Sequence, residues 1–366
     1  MASCGRTMVL QYYPLAGRAF LAIHSPDAEQ ESENGIAHQE VESMQFGVLQ
    51  FFSWPGRRIP LPEVYQRAFE RIDVMEHAGY EAVWLAEHHF GTYSVCPSIH
   101  MMGAHIAART KRLRIGTAVS LAPFYHPLRL AEEIALLDVL SGGRVNFGVG
   151  RGFDATEYKN FGVTRDDSYP MFREHVQVVL DAWKNERLSF HGRFCHYDDV
   201  EVLPKPLQQP HPPVWLASSS EEAVIWSARN GYSILMDPHS SHVEIAAKRS
   251  RYQQELEGAG HSISGRVIPM ARNIALASTS AKAHEVAMSS EKYMFGSYLG
   301  NAPRPAVSGD PVEQYVADTV ICGTPESVID QLHELEEVLP LQYLMCTPLS
   351  HESFVLFTER VMPHFL

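Results

Sequence analysis

From Met44 onward the chain alternates short apolar runs with longer amphipathic stretches, and no other feature limits its fold as tightly. The runs FGVLQFF, AVWLA, LRIGTAV and VNFGVG are nearly continuous hydrophobics, the pattern of parallel strands buried on both faces. PVWLA, YSILM, VIPMARNIALA and QYLMC continue the series and bring the strand candidates to eight. Between them, residues 62–78 place Val64, Ala68, Ile72 and Met75 on one helical stripe, and residues 127–140 do the same with Leu130, Ile134 and Leu137. Pro127 and the pair Thr324-Pro325 supply helix-start chemistry. Regular β–α alternation implies a parallel sheet, and eight units predict an α/β fold, a (β/α)8 TIM barrel with insertions. One insertion is expected as a hairpin near 186–212, ahead of the proline-rich LPKPLQQPHPP. The other is expected as a loop near 296–320.

Residues 1–43 stand apart from this pattern. Their stretch DAEQESENGIAHQEVES is acidic and poor in large apolar groups, so 1–43 are expected to be a disordered N-terminal extension and 44–366 the folded domain. A formal charge of −13, with no Lys/Arg cluster, argues against a grip on nucleic acid or an anionic membrane. No apolar run reaches the roughly 18 residues of a membrane span. The five cysteines are scattered with no C-x-x-C pair, which suits a reducing compartment. The apolar run near the N-terminus is cut by Arg18 and falls short of a signal-peptide core, so a cytoplasmic location is expected.

In a barrel, chemistry sits at the C-terminal ends of the strands and in the loops that follow. This gives WLAEHHF, residues 84–90, a place: a buried strand that ends in Glu87, His88 and His89 at the active face. Adjacent side chains on an extended chain point to opposite sides, so the two histidines do not chelate one metal together. No metal site is expected, since H-E-x-x-H is absent as well. A hydrogen-bonded structural histidine is the competing reading. Gly116, Thr117 and Ala118 are small residues late in a strand, where a flat group has room to approach the backbone. GVGRGF lacks the G-x-G-x-x-G spacing of a dinucleotide fold, but it puts Arg151 at a strand end, where a planar permanent cation suits a phosphate. An ion pair with a nearby carboxylate is the alternative there. LASSSEEAV places Ser218, Ser219 and Ser220 between a strand and a helix; Ser219 and Glu222 have capping-box spacing, and the helix N-terminus is equally suited to a phosphate.

Taken in order, AVWLAEHHF, IGTAVSLAPFYHPLRLAEEIALLDVLSGGR, FGVGRGF, PVWLASSS, CGTPESVIDQL and VMPHF resemble the bacterial luciferase-like flavin-dependent monooxygenases. The resemblance runs from Met44 to the C-terminus and implies a specific site. The family's acid/base histidine falls on His88. Its non-prolyl cis peptide beneath the flavin maps to Ala118–Val119, and the flavin phosphate falls to Arg151 and the Ser218–Ser220 loop. Three departures stand out. Where luciferase has a second arginine this chain has Tyr169, implying a tyrosine hydroxyl as phosphate partner; the serine loop is one residue longer before the matching Trp226, which leaves the division of roles among Ser218, Ser219 and Ser220 open; and luciferase's reactive cysteine is replaced by Gly150.

The function so implied is oxygenation of a small, mostly apolar organic substrate (an aldehyde, ketone, terpene or acyl compound) with FMN and O2. FMNH2 would come from a separate flavin reductase, and a homodimer is expected. Hydride transfer with a deazaflavin, a non-catalytic flavin-binding partner subunit and a metal-dependent hydrolase are the competing functions. Aromatic and histidine side chains near strand ends, Phe52, Trp54, Phe90, Tyr125 and His239, are expected to line the pocket.

Overall fold

Eight apolar runs become the staves of a parallel barrel, and their side chains divide between two cores. In this computed structural model, which describes residues 43–298 and 309–366, the strands are β1 (Gln45–Gln50), β2 (Ala82–Leu85), β3 (Arg114–Thr117), a two-residue β4 (Ser120–Leu121) and β5 (Val145–Gly150). They continue as β6 (Leu188–His191), β7 (His196–Val200), β8 (Val214–Ala217), β9 (Ser233–Leu235), β10 (Met270–Leu276), β11 (Ile321–Gly323) and β12 (Tyr343–Pro348). Parallel pairing runs β10-β12-β1-β2-β3-β5-β8-β9, and a parallel bridge between Met236 and Met270 joins β9 back to β10. The barrel is thereby closed. β11 was not among the expected strands; it pairs with the C-terminal half of β10, beyond the bridge.

The helices are α1 (Leu61–Ala78), α2 (Ile99–Arg109), α3 (Pro127–Ser141), α4 (Ala155–Phe161), α5 (Arg165–Lys184) and α6 (Glu221–Arg229). After them come α7 (His242–Gly258), α8 (Ser280–Ser297), α9 (Pro311–Thr319), α10 (Pro325–Val338) and α11 (His351–Leu356). The stripe expected on α1 is its buried face: Val64, Ala68, Ile72 and Met75. The insertion near 186–212 contains the expected hairpin, β6 paired antiparallel with β7. The loop expected near 296–320 is corrected by α9. Asp310 caps it through its carboxylate, Pro311 occupies the first turn, and Val312, Tyr315, Val316 and Thr319 form a buried stripe at helical spacing. Glycine and proline drew the sequence reading to a loop, while the same Asp-Pro pair is a helix start. The extension expected at 1–43 lies, but for Ser43, outside the described residues.

Inside the barrel, Trp84 packs with Leu49, Leu235, Ala271, Tyr343 and Met345. Its indole N–H donates to the Tyr343 hydroxyl at 2.8 Å, which donates in turn to Glu81 at 2.7 Å. Two glycines permit close approaches here. A Cβ on Gly116 would run into the Trp84 ring, and one on Gly148 into the carbonyl of Thr117. Gly116 is therefore small to admit Trp84 rather than a ligand. Replacing Gly148 by alanine forces backbone apart in a close-packed interior and is expected to cost about 1–3 kcal/mol. Urea unfolding followed by circular dichroism measures that loss, and an unchanged midpoint would contradict the packing described.

Candidate functional site

Strands β2, β3, β5, β8 and β9 all end at one cavity of about 590 Å³, within the usual range for a small-molecule site. His88, Ala118, Val119, Arg151 and Tyr169 line it, and so do Ser218, Ser219 and Ser220. The structure thus brings all the sequence-predicted site residues together. Of the five further pocket residues expected, only His239 lines this cavity. Phe52 is wholly buried in the outer core, Trp54 and Tyr125 pack against that core, and Phe90 is an exposed side chain. Their ring surfaces found protein partners, a placement that residue type alone does not reveal.

The extended chain after β2 sorts its three polar residues as alternation requires. Glu87 and His89 pair with each other, Nε2 to Oε1 at 2.9 Å, and the second Glu87 oxygen accepts the backbone N–H of Leu121 at 3.2 Å. His88 faces the cavity, with the Phe51 ring stacked at 5.9 Å and the rings of Tyr93 and Tyr298 edge-on at 5.0 and 4.6 Å. Its Nδ1 is buried without a hydrogen bond, 3.8 Å from Oε1 of Glu157. Glu157 is itself buried and accepts the backbone N–H of His89 at 2.9 Å.

At the end of β3 the Ala118–Val119 peptide is cis. The Thr117 hydroxyl holds this region to β5, donating to the Gly148 carbonyl at 2.6 Å and accepting the Gly148 N–H at 2.9 Å. Gly150 also lines the cavity, and the side chain of Val119 fills the space its own Cβ would take.

Arg151 forms no ion pair among the described residues; its guanidinium lies 5.3 Å from the Tyr169 ring. Arg173, one helical turn beyond Tyr169 on α5, lies 4.3 Å from that ring and 4.9 Å from the ring of Trp226. It pairs with the exposed carboxylate of Glu222 at 2.9 Å, while its Nε is buried without a partner. Arg151, Tyr169, Arg173 and Glu222 share a second depression beside the main cavity. Burial pushes the Tyr169 phenol up, and the two guanidiniums only partly oppose this, so it remains a neutral donor at neutral pH. Sequence reading missed Arg173. The signal was its spacing of four residues from Tyr169 on a helix.

The three serines divide their roles. Ser220 caps α6 by accepting the N–H of Ala223, which corrects the capping-box spacing read from Ser219. Ser218 is buried, bonded to the Leu216 carbonyl and the Ser227 hydroxyl. Ser219 keeps its hydroxyl without a protein partner among the described residues. On the far side, Asp237 is held by Lys248 at 3.1 Å and by the N–H groups of His239 and Ser240. Burial alone would raise its carboxyl, but Lys248, His239 and those amides override it and hold it below the usual range. No group of three or more His, Cys, Asp or Glu among the described residues is arranged to hold a metal ion, and no described helix is long and apolar enough to cross a membrane.

A family model described as luciferase-like monooxygenase matches residues 44–342. The chain belongs to that family. Among characterised relatives, the oxygenase component of a flavin-dependent trigonelline monooxygenase from Acinetobacter baylyi is 29% identical over 53% of this chain and 55% of its own length. The chain spans about half the length of the curated relatives it matches. Two solved structures share the fold. The FMN-bound oxygenating constituent of 3,6-diketocamphane monooxygenase from Pseudomonas putida superposes with a TM-score of 0.75 at 18% identity, covering 88% of this chain and 99% of that one. A coenzyme F420 dependent tetrahydromethanopterin reductase from Methanopyrus kandleri gives 0.70 at 17%, covering 88% and 100%. The shared fold thus accompanies FMN in one of these proteins and coenzyme F420 in the other, and fold alone does not choose between them.

Proposed function

We propose that this chain is the oxygenase of a two-component flavin-dependent monooxygenase, using reduced FMN and O2 to place one oxygen atom in a small organic substrate. One observation carries the reading: the main cavity holds an imidazole with a solvent-free inner face and the Arg151 guanidinium, and Arg173 joins Arg151 around Tyr169 in the adjoining depression, a pair suited to a phosphate. In a chain of net charge −13, such a pair marks where an anion is wanted. The fit is specific to residues present here. Among the described residues Arg151 has no competing carboxylate, the Arg173 Nε lacks a partner, and Ser219 offers a free hydroxyl. Arg151, Arg173, Tyr169 and Ser219 would hold the phosphate, and Ala118–Val119 would lie against the ring system. The reduced flavin, when bound, supplies the electrons that activate O2. The protein positions it, keeps the pocket dry and moves protons through His88.

Leu49, Leu235 and Met345 give the inner cavity an apolar wall, while Asp237, Ser240 and Gln314 make one arm polar. A substrate with an apolar body and one polar end, such as an aldehyde, a ketone or an acyl compound, suits that division. The relative named as an oxygenase component supports a separate reductase as the source of reduced flavin. Met101 on α2 and Leu136, Val139 and Leu140 on α3 are exposed, Met101 at 75% and Leu140 at 61%. Such apolar side chains on contacting helices support a homodimer formed through this face.

FMN is expected to bind far more tightly than riboflavin. Arg151→Ala and Arg173→Ala each remove a charged hydrogen-bonding group, worth about 1.5–3 kcal/mol, and should weaken FMN roughly 10- to 150-fold with little effect on riboflavin. Fluorescence titration checks this; equal wild-type affinity for the two flavins would sink the phosphate assignment. His88→Ala should keep FMN affinity while losing on the order of 10²–10⁴ in turnover, read as oxygen consumption coupled to product. Substrate reduction by deazaflavin without oxygen uptake would instead establish hydride transfer. For the dimer, light scattering after gel filtration should show twice the chain mass for the wild type and a monomer for Leu140→Asp; a wild-type monomer refutes the interface.

A further inference from the structure

We infer that Glu157 fixes His88 as the Nδ1–H tautomer, so that His88 presents a bare Nε2 to the cavity and acts first as a base. The two ring nitrogens have different surroundings. Nδ1 is sealed from solvent with no hydrogen bond, and Glu157 Oε1 stands 3.8 Å away. Nε2 makes no protein hydrogen bond among the described residues and is not sealed, which leaves it facing the cavity the ring lines. A deprotonated Nδ1, sealed from solvent, would set its lone pair against the carboxylate lone pairs 3.8 Å away. A protonated Nδ1 sets a donor there instead.

The other groups around His88 do not compete for this role. Glu87 is bonded to His89 and to the Leu121 N–H, and Asp154 caps α4 through the N–H groups of Thr156 and Glu157. Tyr93 and Tyr298 present ring edges, and burial pushes both phenols well above their ordinary value, so they stay neutral. Glu157 is placed for the task by an unusual choice. Asp154 and Glu157 have capping-box spacing, yet the Glu157 carboxylate bonds the His89 N–H rather than returning to its own helix start. The same bond fixes the strand end that carries His88.

The chemical consequence follows in order. An O–H or N–H acid in the cavity gives its proton to Nε2 and keeps the bonding pair. The resulting imidazolium holds Nδ1–H beside the Glu157 carboxylate, and Nε2 later returns the proton to product or water. Glu157 is in this scheme a positioning residue. The consequence rests on the monooxygenase reading of His88; the tautomer does not.

The two are separable by experiment. Nitrogen NMR of the histidine-labelled apoprotein, with His88 signals assigned by their loss in His88→Asn, should show Nδ1 protonated and Nε2 bare at alkaline pH. In Glu157→Gln that preference should collapse to a mixture. A wild-type Nε2–H tautomer, or an unchanged ratio in Glu157→Gln, overturns the inference whatever the enzyme's activity. In the oxygenation assay Glu157→Gln should lower kcat roughly 10- to 100-fold, less than full loss of the base, with KM and FMN affinity nearly unchanged, and Glu157→Asp should recover part of the loss. Equal kcat in wild type and Glu157→Gln overturns the positioning role of Glu157 in the reaction. A correct tautomer in a protein that oxygenates nothing upholds the inference and removes the proposed function alone.

Discussion

The indole of Trp84 is the piece on which the arrangement depends. Lodged in the barrel interior and tied through Tyr343 to Glu81, it fills the space that Gly116 leaves and excludes ligand from the core of the barrel. A bound molecule is therefore confined to the C-terminal ends of the strands. Trp84 is also on the strand that runs directly into Glu87, His88 and His89. One strand thus both plugs the barrel and carries His88, the proposed acid–base group, to the cavity, and the rigidity of the first task would serve the second. Side chains locked in a close-packed interior do not drift, so the strand end they carry does not either.

Much of this was legible in the sequence, and the physical reasons are specific. Parallel strands buried on both faces read as unbroken apolar runs, so the eight staves were visible, as were the α1 and α3 stripes. Alternation along an extended chain also foretold that His88 and His89 part company, and the Glu87–His89 pair is how they do. Other features depended on which side chains meet across the fold. Glu157 lies 69 residues from His88, on another element, and its spacing from Asp154 advertised a helix cap rather than a partner for an imidazole. The aromatic residues at strand ends were equally able to fill the outer core or the cavity, and Phe52, Trp54 and Tyr125 took the core. Helix α9 was hidden because glycine and proline mark loops and helix starts alike.

The departures from luciferase find compensation in the fold rather than in sequence. Tyr169 stands where that family member carries a second arginine, and Arg173 brings a guanidinium to the same ring from one turn farther along α5. Gly150 stands where the resemblance implies a cysteine, and the Val119 side chain lies in the space a Cβ there would take. In both places the structure sets a neighbour in space beside the departing residue, Arg173 at Tyr169 and Val119 at Gly150.

The manner in which the two arginines are held bears on how an anion would enter. Arg151 and Arg173 are placed by the rings of Tyr169 and Trp226, contacts that leave guanidinium N–H groups available. The single ion pair in the cluster, Arg173 with Glu222, uses a carboxylate that is largely in water, and such pairs are worth only about 0–1 kcal/mol. A phosphate dianion offers the same fork-to-oxygen geometry with twice the charge and a second cation beside it. In the proposed site, exchange of Glu222 for phosphate would ask for no movement of the rings beside the arginines. The ring contacts set the geometry, and the surface ion pair leaves the Arg173 Nε without an acceptor.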